Sequence, residues 1–377
     1  MMTLQSRDIS FPLLSICIPV YNRVLLFEQS LRCAIKAASG YEDLVEIVVS
    51  DNASTEPICD VVQHLASENP GVVVRYSVLS ENRGMAANFL EVVRKSAGTF
   101  CWIVGSDDFV LASGVRDILG IIRNQPNIDF ISIGFDSINL RSANAGGWIR
   151  EIEEGLPKEA DWQATAMAHK ISKACIWDEL VDPKFENVML GSVMANVFRR
   201  TLWLSVTLDE AAVSGAFSRI HNTYPHCYVF SKAFVGRQAW YHGKACIVAG
   251  DGVREWATDS GSTLWQSSLP VIYLKVLDEI VDEYASGGLQ LRQVRRCRRW
   301  VGGVVGRWFV PYMLHRHIRG GRVKTEESIS AQKMLSIHWS NLWFYMGIVR
   351  WLVRPTVICV RQGWQKALAM MPGLGRK

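Results

Sequence analysis

The first 135 residues repeat one pattern: a short apolar run, a polar loop, then a longer stretch with apolar residues at helical spacing. The run over 13–18 is stopped by Pro19, and Val20-Tyr21-Asn22-Arg23 follows as a loop before a helix predicted over 25–38. A second run, 45–50, ends in Asp51-Asn52-Ala53-Ser54-Thr55, and a helix over 57–66 follows with Pro57 in its first turn. A third strand over 72–79 leads into Glu81-Asn82-Arg83-Gly84 and a helix over 85–97. The fourth unit, 99–110, carries the apolar run 100–104 and then Gly105-Ser106-Asp107-Asp108. Strand–loop–helix units repeating about every 30 residues predict an α/β fold with a parallel sheet covered by helices. Every loop then falls on one edge of that sheet. Asp51, Asn82, Arg83, Asp107 and Asp108 converge there although they are far apart in sequence.

Further along the pattern loosens. A helix over 114–123 and a strand over 129–135 are predicted, and 139–157, rich in Gly, Asn and Ser, reads as a loop. A helix is expected over 162–180 and a strand over 244–249. Past residue 265 the chain turns helical, with an amphipathic stretch over 269–284 and apolar stretches over 301–314 and 342–360. The last is broken by Arg350, Arg354 and Pro355. A 377-residue chain has room for two parts, and the change of pattern divides it into an α/β domain over 10–260 and a helical extension over 261–377.

Charge follows the same division. Residues 291–377 hold 17 Lys and Arg against Glu326 and Glu327, a charge of +15, which leaves −10 on the rest of a chain whose total is +5. Six of the 14 tryptophans lie past residue 299. Apolar helices with Trp at their boundary and cations on their flanks suit an anionic membrane surface. The alternative is a basic helical subdomain packed on the body. Nucleic acid explains the charge but not the apolar faces, and no nucleic-acid partner is expected. No run of about 20 apolar residues predicts a span, and the N-terminus lacks the apolar core of a signal peptide. Nine cysteines without a C-x-x-C read as reduced core thiols.

Two carboxylates beyond a buried strand, Asp107 and Asp108, suit a hard divalent cation shared with phosphates. The same pair also reads as a turn that caps the next helix. Asp51 is an acceptor suited to N–H and O–H donors, or a helix cap. Arg83 is suited to phosphate, or is a surface arginine in a turn.

The ordered set Pro19-Val20-Tyr21-Asn22, Ser50-Asp51-Asn52-Ala53-Ser54, Asn82-Arg83-Gly84 with Asn88, and Ser106-Asp107-Asp108 resembles the nucleotide-sugar half of a family 2 glycosyltransferase with the GT-A fold, a Rossmann-like, mostly parallel sheet. The likeness covers about residues 13–115, continues weakly to about 256, and is greatest to abequosyltransferase-type enzymes of bacterial surface polysaccharides such as O-antigen. It implies transfer, with inversion, from a nucleoside-diphosphate sugar to a hydroxyl. Pro19, Tyr21, Asn22, Asp51, Asn82, Arg83, Asp107 and Arg254 would hold the donor, Tyr21 by stacking on the base. Asp107 and Asp108 would carry Mn²⁺ or Mg²⁺ as a DxD-type motif, although Gly105 stands where many relatives have a first Asp. Relatives place a Glu-Asp pair before the acceptor site, and this chain has none there. His226 is the first candidate for the general base and Asp251 the second, with Asp209 and Glu210 as rivals. Gly191-Ser192 would approach the donor sugar, and Trp256 would stack on a sugar ring. The acceptor implied is a polyprenyl-diphosphate-linked saccharide, met by a peripheral enzyme on the cytoplasmic side of the bacterial inner membrane. Two other readings are a nucleotidyltransferase-like enzyme, disfavoured by a first loop, Pro19-Val20-Tyr21-Asn22-Arg23, without the Gly-rich character it needs, and a non-catalytic scaffold.

Overall fold

The computed structural model describes residues 12–142, 144–154, 171–185, 187–214, 217–252, 268–315 and 330–353. Among the described residues nine strands form one sheet: β1 (Leu14–Val20), β2 (Val45–Asp51), β3 (Val73–Val78), β4 (Phe100–Ile103), β5 (Phe109–Val110), β6 (Phe130–Asn139), β7 (Ser172–Ile176), β8 (Asn196–Arg199) and β9 (Gln238–Asp251). The order is β3-β2-β1-β4-β8-β6-β9-β5, with β7 added on β9. The first four strands are parallel and carry the repeated units, as the pattern predicts. β1 and β2 are buried at every position, because helices cover both faces of the sheet. β1 runs one residue past Pro19, which lies beyond Cys17, the last residue that β1 pairs with β4.

The two faces have separate cores. On one face α1 (Val24–Ala38), α2 (Ile58–Glu68) and α4 (Ala112–Asn124) bury Phe27, Leu31, Val62 and Ile118 against the sheet. On the other, α3 (Met85–Lys95) supplies Phe89 and Val92, and the helix Pro225–Ala233 supplies Phe230. The same core continues into the helices Leu277–Ser286 and Leu291–Met313 through Tyr284, Cys297, Val301 and Val305. It therefore joins residues from both sides of residue 260.

Two expectations are corrected. Residues 172–176 form β7 rather than part of a helix, because they find backbone partners along β9, Cys175 opposite Ala239 and Ala174 opposite Trp240. The remainder of the expected 162–180 helix lies partly outside the described residues, and only Trp177–Leu180 is a helical turn. Within the expected loop 139–157, α5 (Ala145–Glu154) forms despite Gly146 and Gly147. Its Ile149 and Ile152 are buried with Cys33, Phe109 and Val248, and that packing offsets the poor helix propensity of glycine. Among the described residues no helix is long and apolar enough to cross a membrane.

Candidate functional site at the sheet edge

Strand directions decide which loops meet. β1, β2, β3 and β4 are parallel, β8 is antiparallel to β4 and to β6, and β9 is parallel to β6. The carboxyl ends of β1–β4, β6 and β9 therefore share one edge with the beginning of β8. That edge carries the loops after Val20, Asp51, Val78 and Ile103, the turn before Asn196, and Asp251 at the end of β9.

The loops are tied to one another by side chains. Asn22 donates its backbone N–H to Ser54 Oγ (2.7 Å), and its Oδ1 accepts from Thr55 N–H (2.8 Å). Val24 N–H donates to Glu56 Oε2 at 2.6 Å. Asn52 Nδ2 donates to Asn82 Oδ1 (2.8 Å), and Asn52 Oδ1 accepts from Arg83 N–H (2.9 Å). Asn88 Nδ2 reaches Ser50 O at 2.9 Å and Val20 O at 3.3 Å, which joins the ends of β1 and β2. Asn22 and Arg23 both lie in the left-handed region, with φ of 55° and 62°. Asparagine tolerates that region and arginine does so rarely, so the cross-loop bonds hold a strained turn. Gly84, at φ +86°, starts α3 where a side chain would be strained.

Asp51 is buried, and both of its carboxylate oxygens are engaged: Oδ1 by Ser54 N–H and Oδ2 by Tyr76 O–H, each at 2.8 Å. Burial and the neighbouring carboxylate push the Tyr76 phenol upward, so it remains a donor. Tyr21 is 44% exposed beside this loop. Pro19 lies in β1 opposite Ser50, and Arg254 lies outside the described residues.

Asp107 and Asp108 divide in character. Asp108 turns inward: its Oδ2 accepts from Gly105 N–H (3.1 Å) and its Oδ1 from Gly250 N–H (3.2 Å) on β9. Asp107 Oδ2 accepts from Arg23 Nη1 at 3.1 Å and keeps a fifth of its side chain exposed. Gly105 makes the fold-back feasible, since a Cβ there would meet Asp108 Oδ2 at 2.7 Å and Asp107 Oδ1 at 2.9 Å. Gly250 is as constrained, with its Cβ position 2.1 Å from Asp107 O. Among the described residues no three His, Cys, Asp or Glu side chains gather around a common point. A divalent cation that also takes phosphate oxygens needs only one or two carboxylates. The donor set fits that use, with Asp107 facing outward and Asp108 fixing the turn.

The second half of the edge is built around another strained turn. Met189 and Leu190 have φ of 51° and 60° and are fully packed. Tyr284 O–H donates to Met189 O (2.8 Å), Asn196 Nδ2 to Leu190 O (3.2 Å), and Asn187 Oδ1 accepts from Ser192 N–H (2.8 Å). His226 belongs to this brace: Nε2 lies 3.1 Å from Gly191 O, and the ring is 2% exposed between Phe89, Tyr224 and Phe230. Burial pushes its pKa down to about 4, so it is neutral at pH 7 and donates to the carbonyl. It underlies the Gly191-Ser192 turn and does not open to the edge. Asp209 is exposed, next to Leu208 and Val213, which pack on Ala86 and Ala87 at the start of α3. Asp251 lies beside Gly250, the clamp of Asp108.

The sequence reading gave no role to Arg23, Asn52, Glu56, Gly250 or Tyr284. Only Arg23 carried a signal, as the cation following the Tyr-Asn of the first loop.

Residues 15–164 match the model of the family described as glycosyl transferase family 2. That region is similar to glycosyl transferase family 2. The chain is 31% identical over 145 residues to the abequosyltransferase RfbV of Salmonella typhimurium, an alignment covering 38% of this chain and 43% of that protein. The chain thus matches less than half the length of that relative. The whole fold is similar to residues 1–349 of TarS from S. aureus, with a TM-score of 0.52, 16% identity, and coverage of 93% of this chain and 91% of that one. The TarS complex with UDP is similar at a TM-score of 0.51 and 15% identity, covering 89% and 88% of the two chains. Both likenesses concern the fold, a mixed α/β sheet of the GT-A type followed by helices.

Proposed function

We propose that the chain is an inverting glycosyltransferase that moves a sugar from a nucleoside-diphosphate sugar to a hydroxyl of a lipid-linked saccharide in bacterial surface polysaccharide synthesis. The observation that carries this reading is the knitted edge: four loops from successive parallel strands joined by Asn22, Asn52 and Asn82, with Arg23 on Asp107. The match of residues 15–164 to the family 2 model, the likeness of the chain to an abequosyltransferase over 145 residues, and the solution of a similar fold with UDP support it.

Tyr21 is the exposed ring against which the base stacks, and the Asp51 loop receives the base or ribose. Arg23 and Arg83 meet the diphosphate. Asp107 holds Mn²⁺ or Mg²⁺, which when bound neutralises charge on the departing diphosphate. Asp251 takes the proton as the acceptor oxygen bonds to the anomeric carbon and the carbon–oxygen bond to the diphosphate breaks. Its location at the carboxyl end of β9, against the burial of His226, supports this order. His226 is instead a positioning residue for Gly191-Ser192. The helices past residue 268 lie on the anionic inner leaflet, where a polyprenyl-diphosphate-linked acceptor is found.

The test is a thermal-shift panel of nucleoside diphosphates with and without Mn²⁺. Stabilisation by one base, enhanced by Mn²⁺ and lost in Asp107→Ala, is expected. A flat panel on folded protein would sink the reading.

A further inference from the structure

A cleft of about 410 Å³ lies between the helix Leu291–Met313 and the 342–353 helix, away from the sheet edge. Five of its ten lining residues are cations, with Asp182 the sole acid. Asp182 pairs with Arg296. Among the described residues no carboxylate pairs with Lys184, Arg299, Arg307 or Arg350. Trp300 and Trp343 complete the wall.

The cleft has a rigid floor. A Cβ on Gly306 would meet Phe344 O at 2.0 Å, and one on Gly347 would meet Gly303 O at 2.4 Å, so the two helices touch through their backbones. Arg299, Arg307 and Arg350 on this frame, with Lys184 lining the same cleft, repel one another unless an anion joins them. The sequence over 354–377 contains no Asp or Glu. A singly charged group would leave most of the repulsion, whereas a phosphomonoester or diphosphate matches it. Beside the cleft, Leu342, Tyr345, Met346, Val349 and Val353 share one helix face at spacings of 3, 4, 7 and 11, each between 41% and 70% exposed. An apolar face next to a cationic, Trp-lined cleft suits a molecule with an acyl or prenyl tail and a phosphate head.

We propose that this cleft binds the headgroup of a lipid bearing a phosphomonoester or diphosphate, while the apolar face of the 342–353 helix rests in the bilayer interface. The inference extends the membrane-surface reading of these helices and does not depend on the donor site.

The test is flotation of the full chain with three vesicle types: phosphatidylcholine alone, and phosphatidylcholine with phosphatidylglycerol or phosphatidic acid at matched surface charge. Binding to phosphatidic acid is expected to exceed binding to phosphatidylglycerol by about tenfold. The double variant Arg299→Gln/Arg350→Gln should erase that preference while keeping residual binding to both, with an unchanged melting temperature and unchanged nucleotide shifts. Equal binding of the two anionic lipids by the wild type would reduce the cleft to diffuse attraction and overturn the proposal. A preference that survives in the double variant would place the site elsewhere. Micromolar inorganic pyrophosphate that raises the melting temperature and releases the protein from vesicles would make this a soluble-phosphate site and overturn the lipid source. The flotation needs no donor sugar, so its failure is separate from failure of the glycosyltransferase reading.

Discussion

At the scale of single residues, two adjacent carboxylates do different work. Asp108 satisfies two backbone donors from separate strands, Gly105 and Gly250, in a nearly buried setting. Removing it in Asp108→Ala leaves both N–H groups without that partner, at a cost of about 2–4 kcal/mol, which a urea midpoint would read. Asp107 makes a partly exposed pair with Arg23, so Asp107→Asn is expected to change stability by no more than about 1 kcal/mol while abolishing the Mn²⁺ enhancement of nucleotide binding. A common loss of stability in both variants would contradict this division. His226 gives a pH signature. Its pKa is about 4 in the folded chain against 6.5 for an ordinary histidine, so between those values the unfolded chain binds a proton that the native chain refuses. Stability therefore falls as pH drops from 6.5 to 4, by roughly 3 kcal/mol from this group. His226→Gln should flatten the urea-midpoint profile across that window, relative to wild type, while slowing turnover through the Gly191 turn.

At the scale of elements, the parallel half was legible because its strands are buried runs closed by polar loops, a pattern set by each strand's own residues. Asp51, Asn82 and Asp107 could be assigned to one edge from that pattern alone. β7 was not legible: Ser172–Ile176 has one buried residue, Cys175, and is a strand only because β9 offers it a partner. The burial of His226 was not legible for a related reason, since its contacts with Phe89 and Phe230 depend on how the helices pack. The glycines of the C-terminal helices are similar. The sequence reading gave them no role, whereas in three dimensions Gly302, Gly306 and Gly347 are where the helix Leu291–Met313 meets residues 341–347. Gly306→Ala places a Cβ against the Phe344 carbonyl, a backbone atom that cannot turn aside. Hydrogen exchange over 342–353 should then rise at least tenfold, about 1.4 kcal/mol of lost protection, with β1–β4 unchanged. Unaltered exchange would mean that the seam does not hold this helix.

At the scale of the whole molecule, the helical part past residue 268 is a structural component of the sheet edge. Tyr284 packs edge-on to Trp177 at 5.3 Å between centroids and donates its hydroxyl to Met189 O, inside the strained turn beneath Gly191-Ser192. Glu279 accepts from Ile220 N–H at 2.9 Å, Glu283 pairs with Lys232 at 2.7 Å, and Arg296 pairs with Asp182. A chain ended at residue 260 would expose Trp177, Phe230 and Phe234 from one face of the core and leave the Met189 carbonyl without its tyrosine donor. Such a chain is expected to keep helical signal in the far ultraviolet but to lose its cooperative melt and bind a hydrophobic dye, the behaviour of a compact state without fixed packing. A truncated chain that melts cooperatively within a few degrees of the full one would make the two parts independent domains. If the dependence holds, the helices that would face the membrane also set the turn under the acceptor side of the edge, so surface attachment and site geometry are joined through one buried tyrosine.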